Sequence, residues 1–481
     1  MKLINPLIIL RFLGPILLIE TAAFILCILV AAIYGEDLVP FIWAAVISAF
    51  LWIAIKTGTI NTDIGKTNKR DGFLAVSFSW ILFSVVGVLP YMFSGTIPSF
   101  IDAFFETASG VTTTGATIIR DVEILPFSIL FWRSLTHWIG GLGIIVLVII
   151  ILPSLKITGQ QLFSLESSLK EKIHPKTKAI GFRIMFVYVG LTIAEVILLC
   201  LGDMTLFDSV CHSFGTIATG GFSTRNTSIM FYSNYSQYII AIFMFLAGVS
   251  FVVYYYTVKL QFSKVRKNEE LRFYTIVTVV AGFFVSAILF LQSGKPPETA
   301  FREGFFQVIS FITTTGYATS DYLLWPESGM LLMFLLLFSG ASTGSSTGNI
   351  KMARHLMALK NITNTFKRMI HSNIINPVRI SGKPIEERSN TTVISFILLY
   401  FFLFILGTFI ITLTGPDLIT SASAVAASIG NVGPGFGQAG PMFNYSAMPE
   451  ISKIVFSLLM IIGRLEILTV LALFSKSFWR I

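Results

Sequence analysis

The sequence predicts an all-α membrane protein, and three observations predict it. Of its 481 residues, 54% are hydrophobic and only 12% charged, about half the charged share of a soluble domain. Mean hydropathy is +0.80, and 45 phenylalanines leave too little polar surface to cover a water-soluble globule. The apolar residues fall in long continuous runs, whereas a membrane barrel would show short alternating strands. If about half the chain lies in spans of about 20 residues, roughly ten helices fit.

Taken in order, the runs cover 7–33, 38–55, 73–94, 125–153, 181–202, 236–258, 273–292, 328–350, 391–414 and 451–475. No cleavable signal is expected, because the first run has no small-residue cleavage site and leads straight into the second. The interior stretches 56–71, 155–183, 259–272 and 351–388, with the two chain ends, hold 27 of the 34 Lys and Arg and 8 of the 25 acids. Short loops rich in Lys and Arg stay cytoplasmic, so both termini are expected inside. The net charge of +9 therefore belongs to the membrane, and no nucleic acid is expected.

The external linkers carry a second kind of element. After the spans 73–94, 181–202, 273–292 and 391–414 come shorter apolar stretches, 98–110, 205–217, 299–312 and 417–429. They are too short to cross and suit re-entrant half-helices. Each starts beside an N-terminal signal, at Pro98 and Asp102, Thr205 and Asp208, Thr299 and Glu303, and Asp417, and acids there complement the helix dipole. Each runs into a glycine cluster. Aligned on one glycine, the clusters read Thr113-Thr114-Gly115, Ala218-Thr219-Gly220, Thr314-Thr315-Gly316 and Asn431-Val432-Gly433. The fourth is the weakest, since Gly430, Gly435 and Gly437 permit another register.

This spacing divides the chain into two leading helices (1–71) and four repeats, 72–178, 179–268, 269–388 and 389–481. The expected architecture is four parallel span/pore-helix/span repeats around a central pore. A dehydrated cation needs a shell of oxygens, and a ring of backbone carbonyls can supply it. Irregular backbone at membrane depth is tolerated where it lines a cavity or is buried in protein. A single Thr-Thr-Gly would be an ordinary helix stop; four in matching positions point to a cation pore. A proton- or sodium-coupled carrier is the alternative, but the cluster segments contain no acid for coupling.

No enzyme is expected. The five histidines, at 137, 174, 212, 355 and 371, lack metal-ligand spacing, and Cys27, Cys200 and Cys211 give no paired framework.

Several stretches resemble a known family: Val111–Ala116, Phe131–Gly143, Thr313–Tyr317 and Gly463–Ile467. The sequence is similar over nearly its whole length to the Trk/Ktr/HKT superfamily of potassium transporters, and within it to the bacterial TrkH/TrkG branch, which has the two leading spans. The resemblance implies K⁺ uptake across a bacterial inner membrane, a homodimer, and a cytosolic TrkA-like nucleotide-binding regulator. The nucleotide is then expected only on that partner, and this chain needs no cofactor of its own. Relatives that favour Na⁺ can carry serine at the first-repeat glycine, so Gly115 implies preference for K⁺.

Ten small residues, Gly340–Asn349, precede Lys351. They form a poor helix. One reading is an intramembrane loop that gates conduction; the other is a close-packing face made by Gly340, Gly344 and Gly348 at i, i+4 and i+8. The resemblance favours the loop and pairs it with Arg464, placed near the middle of the last span as a cation barrier or a holder of loop carbonyls. Glu20 and Glu195, also within spans, are expected to satisfy neighbours. Arg133 and His137, an i, i+4 pair, are expected to pack rather than meet the ion, since fixed donors would oppose cation flow. The basic stretch 351–388 suits either anionic lipid heads or an acidic-edged cytosolic partner.

Overall fold

The computed structural model describes residues 4–63, 68–146, 177–371 and 376–480. The basic stretch expected at 155–183 lies mostly outside them. Helices dominate because hydrocarbon offers the backbone no hydrogen bonds.

The chain begins with a hairpin of α1 (Pro6–Tyr34) and α2 (Val39–Gly58). Asn5 caps the first helix, and Gly35, at φ 69°, ends it. Then come α3 (Lys69–Val86), α4 (Leu89–Phe93), α5 (Phe100–Val111) and α6 (Phe127–Val146). They are followed by α7 (Thr177–Cys200), α8 (Leu206–Ala218), α9 (Asn234–Ala247), α10 (Phe251–Val258) and α11 (Phe262–Arg266). Next are α12 (Glu269–Ser293), α13 (Pro297–Ile312), α14 (Glu327–Leu336) and α15 (Met352–Ile370). A two-stranded antiparallel hairpin, β1 (Arg379–Ile380) and β2 (Lys383–Pro384), interrupts the basic linker. The chain closes with α16 (Glu387–Thr412), α17 (Leu418–Gly430), α18 (Glu450–Arg464), α19 (Ile467–Leu471) and α20 (Lys476–Trp479).

Among the described residues, six helices are long and apolar enough to cross a membrane, and two bent pairs bring the number to eight. Burial sorts long helices from short ones. The long helices leave Phe283, Phe284, Leu398, Phe402 and Ile405 exposed, as lipid-facing surface requires. The short helix α17 buries every residue from Ser423 to Gly430. Its run of Ala and Ser lets the surrounding backbone approach closely.

Three expected spans are not continuous. The run 236–258 bends by 95° between α9 and α10, and 451–475 bends by 108° after Arg464. The run 328–350 is helical only to Leu336. Each break faces chain from elsewhere. Ser342 N–H donates to Gly248 O at 3.1 Å and Phe251 N–H to Gly344 O at 2.9 Å, so segment 340–349 fills the α9–α10 break. Hydropathy cannot register such a break, because the bonds that satisfy it come from about 90 residues away.

Candidate functional site

Three of the four half-helices start alike, and all four end alike. Ser99, Thr205 and Asp417 cap the N–H groups of Asp102, Asp208 and Thr420, while α13 starts on Pro297. At the other end the chain reverses through a non-glycine residue with positive φ: Thr113 (52°), Thr219 (57°), Thr314 (55°) and Asn431 (54°). Their N–H groups bond Gly110, Thr216, Phe311 and Ser428 at 3.0–3.3 Å. The next N–H bonds five residues back in every case: Thr114 to Ser109, Gly220 to Gly215, Thr315 to Ser310 and Val432 to Ala427, at 2.7–2.9 Å. This paired pattern is a Schellman helix end, usually built on glycine. β-Branched threonine in that conformation holds about 1–3 kcal/mol of strain, which these two bonds and the buried surroundings sustain.

Two residues on, a glycine again has positive φ: Gly115 (83°), Gly221 (85°), Gly316 (80°) and Gly433 (97°). A Cβ at Gly115 would overlap Gly220 O, at Gly221 Thr315 O, at Gly316 Val432 O, and at Gly433 Thr114 O. The strands therefore close on one another in a ring, one to two to three to four and back to one. No side chain fits at the four glycines. All four also line one cavity, together with Phe443 and Asn444.

The ring corrects the second cluster. Its triplet is Thr219-Gly220-Gly221, one residue later than Ala218-Thr219-Gly220. Ala218 is the last residue of α8, and Gly220 supplies the carbonyl in the middle of the strand. Gly220 is glycine for a separate reason: a Cβ there would strike the His137 ring. A pair of adjacent glycines was the signal available. The corresponding positions in the other three strands are Thr113-Thr114-Gly115, Thr314-Thr315-Gly316 and Asn431-Val432-Gly433.

Arg133 and His137 brace this ring. Arg133 Nε donates to Glu106 at 2.9 Å, with both side chains buried. Glu106 also accepts from Thr117 Oγ and Ile118 N–H, each at 2.9 Å. His137 Nε2 accepts Phe222 N–H at 3.1 Å, so its Nδ1 carries the proton and donates to Gly110 O at 2.7 Å. Glu106 went unnoticed in the sequence, where it reads as one polar residue in a short apolar run. Glu20 and Glu195 are buried, with no ion-pair partner among the described residues.

Segment 340–349 is a loop, which removes the helical spacing of Gly340, Gly344 and Gly348 and with it the packing face. Gly340 N–H donates to Ile350 O at 2.8 Å and Met352 N–H to Ala341 O at 3.1 Å, closing its neck. Gly344 turns at φ 77°. Gly348 lies against Gly430 O and Asn431, leaving no room for a Cβ. Glu270 accepts Thr343 N–H and Oγ at 2.6 Å. Tyr400 OH donates to Asn349 Oδ1 at 2.9 Å. Hydrogen bonds thus pin the segment at several points.

Arg464 ends α18 at the bend, rather than lying mid-helix. Its Nη1 donates to Ser346 O at 2.6 Å, and Nε and Nη2 have no hydrogen-bond partner among the described residues. Glu466, at φ 66°, turns the other way and pairs with Arg354 at 2.7 Å.

Lipid-facing helices around four buried half-helices, a ring of glycine strands and a cavity opening onto it define a membrane transport protein. The chain belongs to the TrkH family of cation transport proteins, whose family model matches residues 41–481. It is 34% identical over 423 residues to the Trk system potassium uptake protein TrkH of Salmonella typhimurium, covering 86% of this chain and 87% of that one. It is 35% identical over 417 residues to the Trk system potassium uptake protein TrkG of Escherichia coli, covering 85% and 86%. The crystal structure of the potassium transporter TrkH from Vibrio parahaemolyticus superposes with a TM-score of 0.89 at 30% identity, covering 98% of this chain and 99% of that one.

Proposed function

We propose that this chain takes up K⁺ through a selective, channel-like pore whose narrowest part is the ring Thr113–Gly115, Thr219–Gly221, Thr314–Gly316 and Asn431–Gly433. The observation that carries this reading is the closed order of contacts among the four strands, each glycine set against the middle carbonyl of the next. Carbonyls held at fixed spacing can replace the hydration shell of a K⁺ ion. The potassium uptake named for the relatives supports the choice of ion. The repeats 72–178, 179–268, 269–388 and 389–481 are then four quadrants about one axis, after the leading pair 1–71.

Loop 340–349 is the gate in this reading, held beneath the ring by Arg464. A cytosolic TrkA-like subunit carrying the nucleotide releases it, and the chain works as a homodimer in the bacterial inner membrane with both termini cytoplasmic. The charge asymmetry of the linkers supports that orientation. A cysteine at Lys267 should label only from the cytoplasm, and labelling from outside intact cells overturns the orientation.

Purified protein in liposomes tests conduction. Passive K⁺ flux without a proton or Na⁺ gradient is expected. Flux that appears only with such a gradient favours the coupled carrier.

A further inference from the structure

The four seams between neighbouring strands are closed by different chemistry. Tyr317 joins strands two and three, its hydroxyl donating to His212 O at 3.1 Å and Phe222 O at 3.2 Å. Tyr322 joins three and four, donating to Gly435 O at 2.7 Å. Four and one meet through Tyr445 N–H to Thr117 O at 2.8 Å and Asn431 Nδ2 to Thr114 Oγ at 3.0 Å. Between one and two, α6 crosses the seam twice, one helical turn apart. His137 binds Gly110 O on one side and Phe222 N–H on the other. Arg133 donates to Glu106 and to Thr117 Oγ at 3.3 Å on the first side and to Ser223 O at 3.2 Å on the second. Its guanidinium lies 4.1 Å from the Phe222 ring centroid.

Glu106 stands seven residues before Thr113, as His212 stands before Thr219 and Gln307 before Thr314. Each of the three reaches its own outgoing strand. His212 Nε2 meets Ser223 Oγ at 2.9 Å, and Gln307 Nε2 donates to Tyr317 O at 3.2 Å. Only the first is an acid. Among the described residues, its seam is the one closed by an ion pair with both partners buried, at 2% and 0% exposure.

We propose that Arg133, held by Glu106, is a positioning residue for ion selection: it fixes the separation of strands one and two, and with it the spacing of the Thr114 and Gly220 carbonyls. It acts through Thr117, Phe222 and Ser223 and does not touch the ion. A planar fork bonded to three groups is stiffer than an ammonium on a flexible stem. A buried pair of this kind adds little net stability, so geometric specificity is the role open to it. The proposal rests on the K⁺-conducting reading above.

Two variants test it in liposomes, each scored by the K⁺/Na⁺ flux ratio, which does not depend on how much protein is folded. Arg133→Lys keeps a cation opposite Glu106 but cannot hold Thr117 and Ser223 together. Glu106→Gln with Arg133→Met removes both charges and leaves none unpaired. Each should lose about tenfold of the wild-type ratio, with a Tm close to wild type for Arg133→Lys. A folded variant of either kind with the wild-type ratio overturns the proposal. If Arg133→Lys does not assemble, the neutral pair decides by the same ratio. Failure of both to assemble assigns the pair to folding and also overturns it. A wild type that does not favour K⁺ over Na⁺ instead refutes selective conduction, and the positioning role falls with it.

Discussion

The backbone N–H of Gly348 donates to the side-chain hydroxyl of Thr314 at 2.9 Å, so the loop beneath the ring is bonded directly to the foot of the third strand. Loop and ring share an atom-to-atom contact, and displacing one leaves a buried polar group on the other without a partner. Thr314→Val keeps the shape and removes the acceptor. An unsatisfied buried N–H costs about 1–3 kcal/mol, which should tip the loop outward and raise K⁺ flux about tenfold without any regulator. A well-folded variant with wild-type flux would show that this bond does not hold the loop.

Arg464 makes the second tie, from Nη1 to Ser346 O at 2.6 Å. A charge-assisted bond is about twice as strong as a neutral one. Arg464→Ala, or deletion of several residues within 340–349, should therefore raise basal ion flux. If both variants assemble and conduct no more than wild type, the gate assignment is wrong.

The register of the second strand is open to a direct comparison. Gly115→Ser and Gly221→Ser place a side chain against a neighbouring carbonyl at positive φ, and both should weaken K⁺/Na⁺ discrimination by about tenfold, or ~1.4 kcal/mol. Gly220→Ala instead pushes on the His137 ring and should lower the yield of folded protein first. An unchanged flux ratio in Gly221→Ser would return the register to Gly220.

Acid should loosen the connection between the linker after α7 and the start of α9. Partial burial pushes the Asp203 carboxyl up, but hydrogen bonds from Ser233 and Ser236 outweigh it and hold it below the usual carboxylate range. Asp203 accepts Ser233 N–H at 2.7 Å and Ser233 Oγ at 2.6 Å, just where α9 begins. A depressed folded pKa contributes stability that is present above the unfolded value, about 3.9, and is lost as pH falls through the folded value. Asp203→Asn should lower Tm near neutral pH and flatten its decline in acid. An acid-side Tm slope identical to wild type would contradict this.

What could be read from the chain followed local rules. Thr205 three residues before Asp208, and Asp417 before an Ala- and Ser-rich run, marked helix starts from neighbours alone, and the structure begins α8 and α17 there. The Thr-Thr-Gly triplets at 113–115 and 314–316 were legible for the same reason, since a Schellman end is closed by residues within six positions. At 218–221 two glycines in a row made the local rule ambiguous. Only the His137 ring beside Gly220 and the Thr315 carbonyl beside Gly221 tell them apart.

The sequence by itself determined that this is a helical membrane protein with four short helices ending on glycine strands, because hydropathy, caps and helix stops act between near neighbours. Tertiary structure alone decided where the spans 236–258 and 451–475 break, which of the loop carbonyls Arg464 meets, and that Glu106 meets Arg133. Those outcomes depend on buried hydrogen-bonding groups finding partners far along the chain. At membrane depth water cannot satisfy such groups, so the fold that pairs them fixes where each helix ends and where each charge lies.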